Sequence, residues 1–141
     1  MGQTATDIMK IIERQKHGKG IVDSTKVMLK QTAVIVGENE NSMLLQFRDY
    51  IVEMYFSEMH PLVVMRLIKA INFQTGFEEM KLINKLNNES LYGSHNIDNE
   101  KRYYVFKATQ WLDVPLTSKM FYEMLNQYDE EAQKFFEELE K

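Results

Sequence analysis

The stretch MLLQFRDYIVEMYF, residues 43–56, constrains the fold more than any other part of the chain. Met43, Leu45 and Phe47 alternate with Leu44, Gln46 and Arg48. Further on, Val52, Met54 and Phe56 alternate with Glu53 and Tyr55. Successive strand side chains point to opposite faces, so a period of two predicts β structure with one packed face. The same character extends from Val27 to Phe73. KQTAVIV runs into GENEN, whose Gly and Asn residues favour a turn. SEMHP is read as the next turn, because Pro61 lacks a ladder donor and suits the first position of a strand. LVVMRLIKAINF, residues 62–73, is rich in β-branched residues, but its length also permits a helix, and both states stay open there.

Helical periodicity frames this β block. TATDIMKIIERQKHG places Ile8, Ile11, Ile12 and Gln15 at helical spacing, with Thr4 or Thr6 as a cap and Gly18 as the expected end. Gly18 and Gly20 follow that segment. A phosphate cradle needs glycines that lead into a helix, so HGKG reads as a helix stop. Phe77, Met80, Ile83 and Leu86 recur every three residues, and Asn87 and Asn88 close the segment. RYYVFKATQWL reads as an aromatic strand. In the last segment Leu116, Met120, Met124, Tyr128, Phe135 and Leu139 join Phe121, Leu125, Ala132 and Phe136 in a wide apolar stripe. Thr117 or Ser118 is placed to cap it. The expected fold is α+β: an antiparallel sheet of about five strands with helices packed on it, in the order α-β-β-β-α-β-β-α. With 141 residues and no linker or repeat, the chain is read as a single domain, 1–141.

Charge and composition narrow the function. The net charge is −4, which argues against a general nucleic-acid binder, because phosphate contacts need clustered Lys and Arg. The two ends differ: residues 1–36 hold six Lys and Arg against three Asp and Glu, whereas residues 112–141 hold three against eight. Opposite signs at the two ends help them pack together or steer a partner. The longest apolar runs, such as LVVM, are too short to cross a bilayer, so no membrane role is expected. There is no Cys, which excludes disulfides and thiolate chemistry, and the start lacks the pattern of a standard secretion signal. A cytoplasmic location is expected, and NES at residues 88–90 is read as a chance glycosylation match.

No motif for catalysis emerges. His17, His60 and His95 lie at element boundaries and share no helical face. His95 and Asp98 form H-x-x-D, but on a segment read as irregular they name no further ligand. Glu78 and Glu79 sit in a first helical turn, where acids favour the dipole. Asp129, Glu130 and Glu131 are read as a solubilising run on the final helix. Neither a metal nor a cofactor is expected. The ten Met residues are more informative: Met43, Met54 and Met65 fit packed strand faces, while Met120 and Met124 lie on the final stripe.

Residues 77–139 resemble a YbjN-type domain, related in fold to type III secretion chaperones. The resemblance rests on FEEMKLINKLNNES, a helix ending in L-N, then a short strand around Leu91 to Ile97 and the acidic turn NIDNEKR, the aromatic strand YYVFKATQWLD and the capped helix PLTSKMFYEMLNQY. The element order extends it over most of the chain, with the first 40 residues matching only in outline. It implies a small acidic bacterial protein with a curved antiparallel sheet, a homodimer, and no enzymatic activity. The family's secretion chaperones bind unfolded segments through exposed apolar patches.

The resulting expectation is a non-catalytic protein-binding module, chaperone-like or regulatory. Its partner is a protein or an apolar peptide segment, docked on a helix face or added to a sheet edge. Ile8, Ile11 and Ile12 on the first helix and Phe135 and Phe136 on the last are the candidate contacts, in competition with core burial. Two other functions are compatible with the sequence. One is a small-ligand binder or enzyme with a polar pocket near Tyr103, Trp111, His95 and Asp98. The other is a structural homo-oligomer whose apolar stripes bury each other.

Overall fold

The computed structural model describes residues 2–57 and 60–141. The element order is α1 (Gly2–Thr32), β1 (Val34–Glu38), β2 (Ser42–Phe47), β3 (Tyr50–Phe56), β4 (Leu62–Ala70), α2 (Phe77–Glu89), β5 (Ser94–Asp98), β6 (Tyr103–Trp111) and α3 (Ser118–Leu139). The strands form one antiparallel sheet in the order β1-β2-β3-β4-β6-β5. The α+β class is as expected, with six strands where about five were read.

Cross-strand registers explain why one face is apolar. Ile35, Leu45, Val52, Leu67, Phe106 and His95 stand opposite one another along one rung, and Met43, Met54, Met65 and Ala108 along the next. All except the half-buried Ile35 are buried, and the three methionines fill the centre of the sheet. The helices cover this face. Phe121, Leu125, Tyr128, Ala132 and Phe135 of α3 and Ile21, Val22 and Leu29 of α1 complete the core. The opposite face carries Gln46, Ile51, Ile68, Val105 and Asn96 on one rung and Leu44, Glu53, Arg66, Lys107 and Ser94 on another. These side chains are half-buried or exposed, and Arg66 Nη1 meets Glu53 Oε1 at 2.5 Å across the strands.

Several expectations are corrected. MLLQFRDYIVEMYF is two strands, reversed at Arg48-Asp49, with Arg48 in the left-handed region at φ 52°. No Gly or Asn marks that turn. Residues 62–70 are strand, because β4 is paired on both sides and so takes up both rows of its backbone hydrogen bonds. The turn read at SEMHP includes Glu58 and Met59, which lie outside the described residues.

The largest correction concerns α1. The helix does not stop at Gly18 but continues through Gly20 to Thr32, so the β block begins at Val34 rather than Val27. Gly18 is buried against Pro61, where a Cβ would lie 3.0 Å from the ring Cδ. Its missing side chain serves a close helix-to-loop approach, and burial of Ile21, Val22, Thr25 and Leu29 outweighs the weak helix propensity of glycine. Thr25 Oγ1 donates to Ile21 O at 2.8 Å and accepts from Leu116 N at 3.1 Å, fastening α1 to the start of α3.

Helix α3 begins as its sequence directs. Thr117 is the cap, and its Oγ1 accepts from Met120 N at 3.2 Å. The acid run on α3 is not a solvated face, since Asp129 and Glu131 are both buried. Asp129 takes the Arg48 guanidinium and accepts from Gln133 Nε2 at 3.2 Å, while Glu131 pairs with Lys134 at 3.5 Å.

Candidate docking surface

Heptad spacing organises the apolar side of α1. Val22 and Leu29 occupy one line, Gly18 and Thr25 the other, and all four are buried against the body. The same two lines continue toward the N-terminus as Gln15 and Ile8, and as Ile11 and Thr4. There the cover ends. Residues 4–14 are exposed throughout, with Ile8, Ile11 and Ile12 at 52%, 52% and 44%. At 1.5 Å per residue this is a rod of roughly 16 Å that presents an apolar stripe to solvent.

A notch lies where the rod meets the body. Ile11, Arg14, Gln15, His17, Gly18, His60 and Pro61 line a depression of about 400 Å³. The His60 ring lies 5.6 Å from that of Trp111, whose indole is exposed at the end of β6. Apolar surface therefore runs from the projecting helix across Pro61 to Trp111.

The α3 candidates behave differently. Phe135 is fully buried and stacks on Tyr104 with ring centroids 4.9 Å apart, so it belongs to the core and offers no docking surface. Phe136 is half-buried, meets the edge of Tyr104 at 5.0 Å and lies 4.4 Å beneath Lys69 Nζ. The α3 stripe was read as wider than one contact needs. Apart from the exposed Met120, it is taken up on one side by the sheet and on the other by α1 and α2.

The pocket expected near Tyr103, Trp111, His95 and Asp98 does not assemble. His95 points into the core. Tyr103, opposite Asp98, sits on the other face of the sheet, and Trp111 stands at the far end of β6. His95 Nδ1 lies 2.6 Å from the Tyr104 hydroxyl, and the Phe106 ring meets the imidazole edge-on at 5.1 Å. His95 Nε2 is buried without a hydrogen-bond partner among the described residues. Desolvation lowers the His95 pKa below 6.5; Glu131 opposes that shift and Lys134 reinforces it. Burial likewise pushes the Tyr104 and Tyr50 hydroxyls well above their ordinary range, with Asp129 adding to the effect at Tyr50. These groups are held neutral inside the core, where they have no access to a substrate.

The backbone of His95 shows what Asn87, at the end of α2, does. Asn87 Oδ1 accepts from His95 N at 2.6 Å, and Asn87 Nδ2 donates to His95 O at 2.9 Å. A side-chain amide thus takes the place of a neighbouring strand on the outer edge of β5. Asp98 Oδ1 accepts from Glu100 N and Lys101 N, both at 3.1 Å, and so holds the following turn. Among the described residues no group of three or more His, Asp or Glu side chains is placed to hold a metal ion. Among the described residues no helix is long and apolar enough to cross a membrane.

Together the fold and the surface define an antiparallel α+β domain with a projecting apolar helix. No family model, no curated protein and no solved structure matches the chain.

Proposed function

We propose that this chain is a non-catalytic protein-binding module, chaperone-like or regulatory, acting in a bacterial cytoplasm. It docks an apolar segment of a protein partner along the projecting half of α1 and the notch at its base. One observation carries the reading: the apolar lines that are core from Leu29 to Gly18 run on as Ile11 and Ile8, where nothing among the described residues covers them. Exposed apolar clusters rimmed by charge mark interaction sites, and Asp7, Lys10, Glu13 and Arg14 supply the rim. The recognition mode is a helix pairing with an apolar segment through i, i+3, i+4 anchors. The resemblance to YbjN-type domains, with apolar-patch binding in the related secretion chaperones, supports the same reading.

Ile8→Glu and Ile11→Glu test it. Both are expected to abolish capture of a protein partner from the native host while the helical circular dichroism and, for the dilute chain, the unfolding midpoint stay unchanged. Capture that survives both substitutions would place the docking surface elsewhere.

A small-ligand reading has one observation in its favour. The open face of the sheet carries a shallow depression of about 640 Å³ lined by Glu53, Arg66, Asp98, Lys101, Tyr103 and Lys107. With Arg66 already paired to Glu53, Lys101 and Lys107 outnumber Asp98 there and suit an anionic compound, and a saturable thermal shift lost in Lys107→Glu would support that role.

A further inference from the structure

We infer that the partner of the projecting α1 segment is the same segment of a second copy, paired antiparallel about a two-fold axis at the level of Met9 and Lys10. The inference rests on the reading of this surface as a protein-docking site and names its occupant.

The argument is one of self-complementarity. Apolar core positions of an antiparallel helix pair face each other across the two lines of the stripe. With the axis at Met9–Lys10, Ile8 of each copy packs on Ile11 of the other, and Thr4 packs on Gln15. One flank then sets Ala5 beside Ile12 of the other copy. The other flank sets Asp7 beside Arg14 of the other copy, and symmetry repeats that pair. Asp7 and Arg14 are both exposed, and neither has an ion-pair partner within the chain among the described residues.

The alternative registers fail on charge. Sliding the pair by one heptad step toward the body brings Arg14 against Arg14 and drives the contact onto Gly18, already filled by Pro61. Sliding it the other way brings Asp7 against Asp7. Parallel pairing sets Asp7 beside Ile12 and leaves both charges unmatched. Like charges held together across an interface oppose association, so one register is selected. In that register the N-terminal end of each helix reaches the notch at the base of the other. An isologous contact of this kind closes after two copies and does not propagate.

Sedimentation equilibrium of the full chain across a wide concentration range, with charge-swapped variants, tests the pairing. The wild type is expected to dimerise reversibly. Asp7→Arg alone sets Arg against Arg14 twice, and Arg14→Asp alone sets Asp against Asp7 twice. Each is expected to weaken self-association about tenfold or more. An equimolar mixture of the two single variants restores dimers, all of them mixed, and the double variant Asp7→Arg/Arg14→Asp restores dimers by itself. A fault in folding would not be mended by mixing, so the mixture separates pairing from damage.

A wild-type chain that stays monomeric at every concentration overturns the inference, as does a dimer indifferent to these charges. If the chain is monomeric and Ile11→Glu still abolishes capture of another protein, the pairing alone is lost. If capture is also indifferent to Ile11, the docking reading fails with it.

Discussion

His95 Nδ1 and the Tyr104 hydroxyl meet at 2.6 Å inside the core, while Nε2 of the same imidazole has no hydrogen-bond partner among the described residues. In either neutral tautomer one nitrogen is satisfied and the other faces apolar surroundings. Protonation would put a charge between Phe106 and Tyr104 with a single acceptor for two donors.

The folded state therefore resists protonation of His95, and its pKa lies below the unfolded value near 6.5. Above that pH neither state binds the proton and the contribution is fully present. As the pH falls below 6.5 the unfolded chain binds a proton that the folded chain does not. Stability then drops, by at most about 1.4 kcal/mol per pH unit, until the folded pKa is reached. Urea unfolding between pH 7.5 and 5 is expected to show this loss, with a flatter profile in His95→Gln. Parallel profiles for the two proteins would assign the loss to other groups.

Two glycines only two residues apart on α1 are expected to respond in opposite senses. A Cβ at Gly20 would meet nothing within 4 Å, so Gly20→Ala should stabilise by about 0.5–1 kcal/mol through helix propensity. Gly18→Leu must displace Pro61 and should destabilise by about 1–3 kcal/mol. Thermal unfolding of both variants checks the pair, and equal shifts would contradict the close approach.

Phe135 and Ile11 were both candidate contacts, and their stability effects should differ sharply. Phe135→Ala opens a cavity beside Tyr104 and should cost about 3–5 kcal/mol. Ile11→Ala changes an exposed position and should leave the stability of the isolated fold within about 0.5 kcal/mol. Denaturant titrations at low protein concentration separate folding from any association.

Arg48 has two roles in the β2–β3 turn. Its guanidinium meets the buried Asp129 and donates to Asn126 Oδ1 at 2.8 Å, while its backbone occupies the left-handed region. Arg48→Ala loses the first and keeps the second, at an expected cost of about 1–3 kcal/mol. Arg48→Gly loses the same contacts but fits the backbone, so it should be about 1 kcal/mol more stable than the alanine variant. An alanine variant equal to the glycine one would remove the conformational part of this account.

What the sequence disclosed depended on how local each signal was. A cap at Thr117 or Ser118, the α3 stripe and the buried Met43, Met54 and Met65 were legible from spacing, and the structure settles the cap on Thr117. The length of α1 was not, because Gly18 and Gly20 look like a stop until Pro61, more than forty residues away, accounts for Gly18. The hairpin at Arg48 was hidden because an arginine took a backbone conformation usually left to Gly or Asn. Residues 62–70 were ambiguous until strands on both sides claimed them. One signal was present and underread: Asp129 falls at helical spacing from Leu125 and Ala132. The short strand read around Leu91 to Ile97 is β5, with its bounds at Ser94–Asp98. At the docking surface, spacing located Ile8, Ile11 and Ile12, but only the distant packing of α3 shows that Phe135 is core.

The Asn87 amide on the edge of β5 bears on aggregation. A sheet polymerises when each added strand exposes a fresh edge at one end while the template keeps a second edge at the other. Here the Asn87 amide takes up the His95 rung of one edge, and β1 at the other edge is short and bulged between Ile35 and Gly37. A strand adding to β5 must displace that amide, and one adding to β1 meets an irregular ladder, so each edge of the sheet is blunted against edge-to-edge growth.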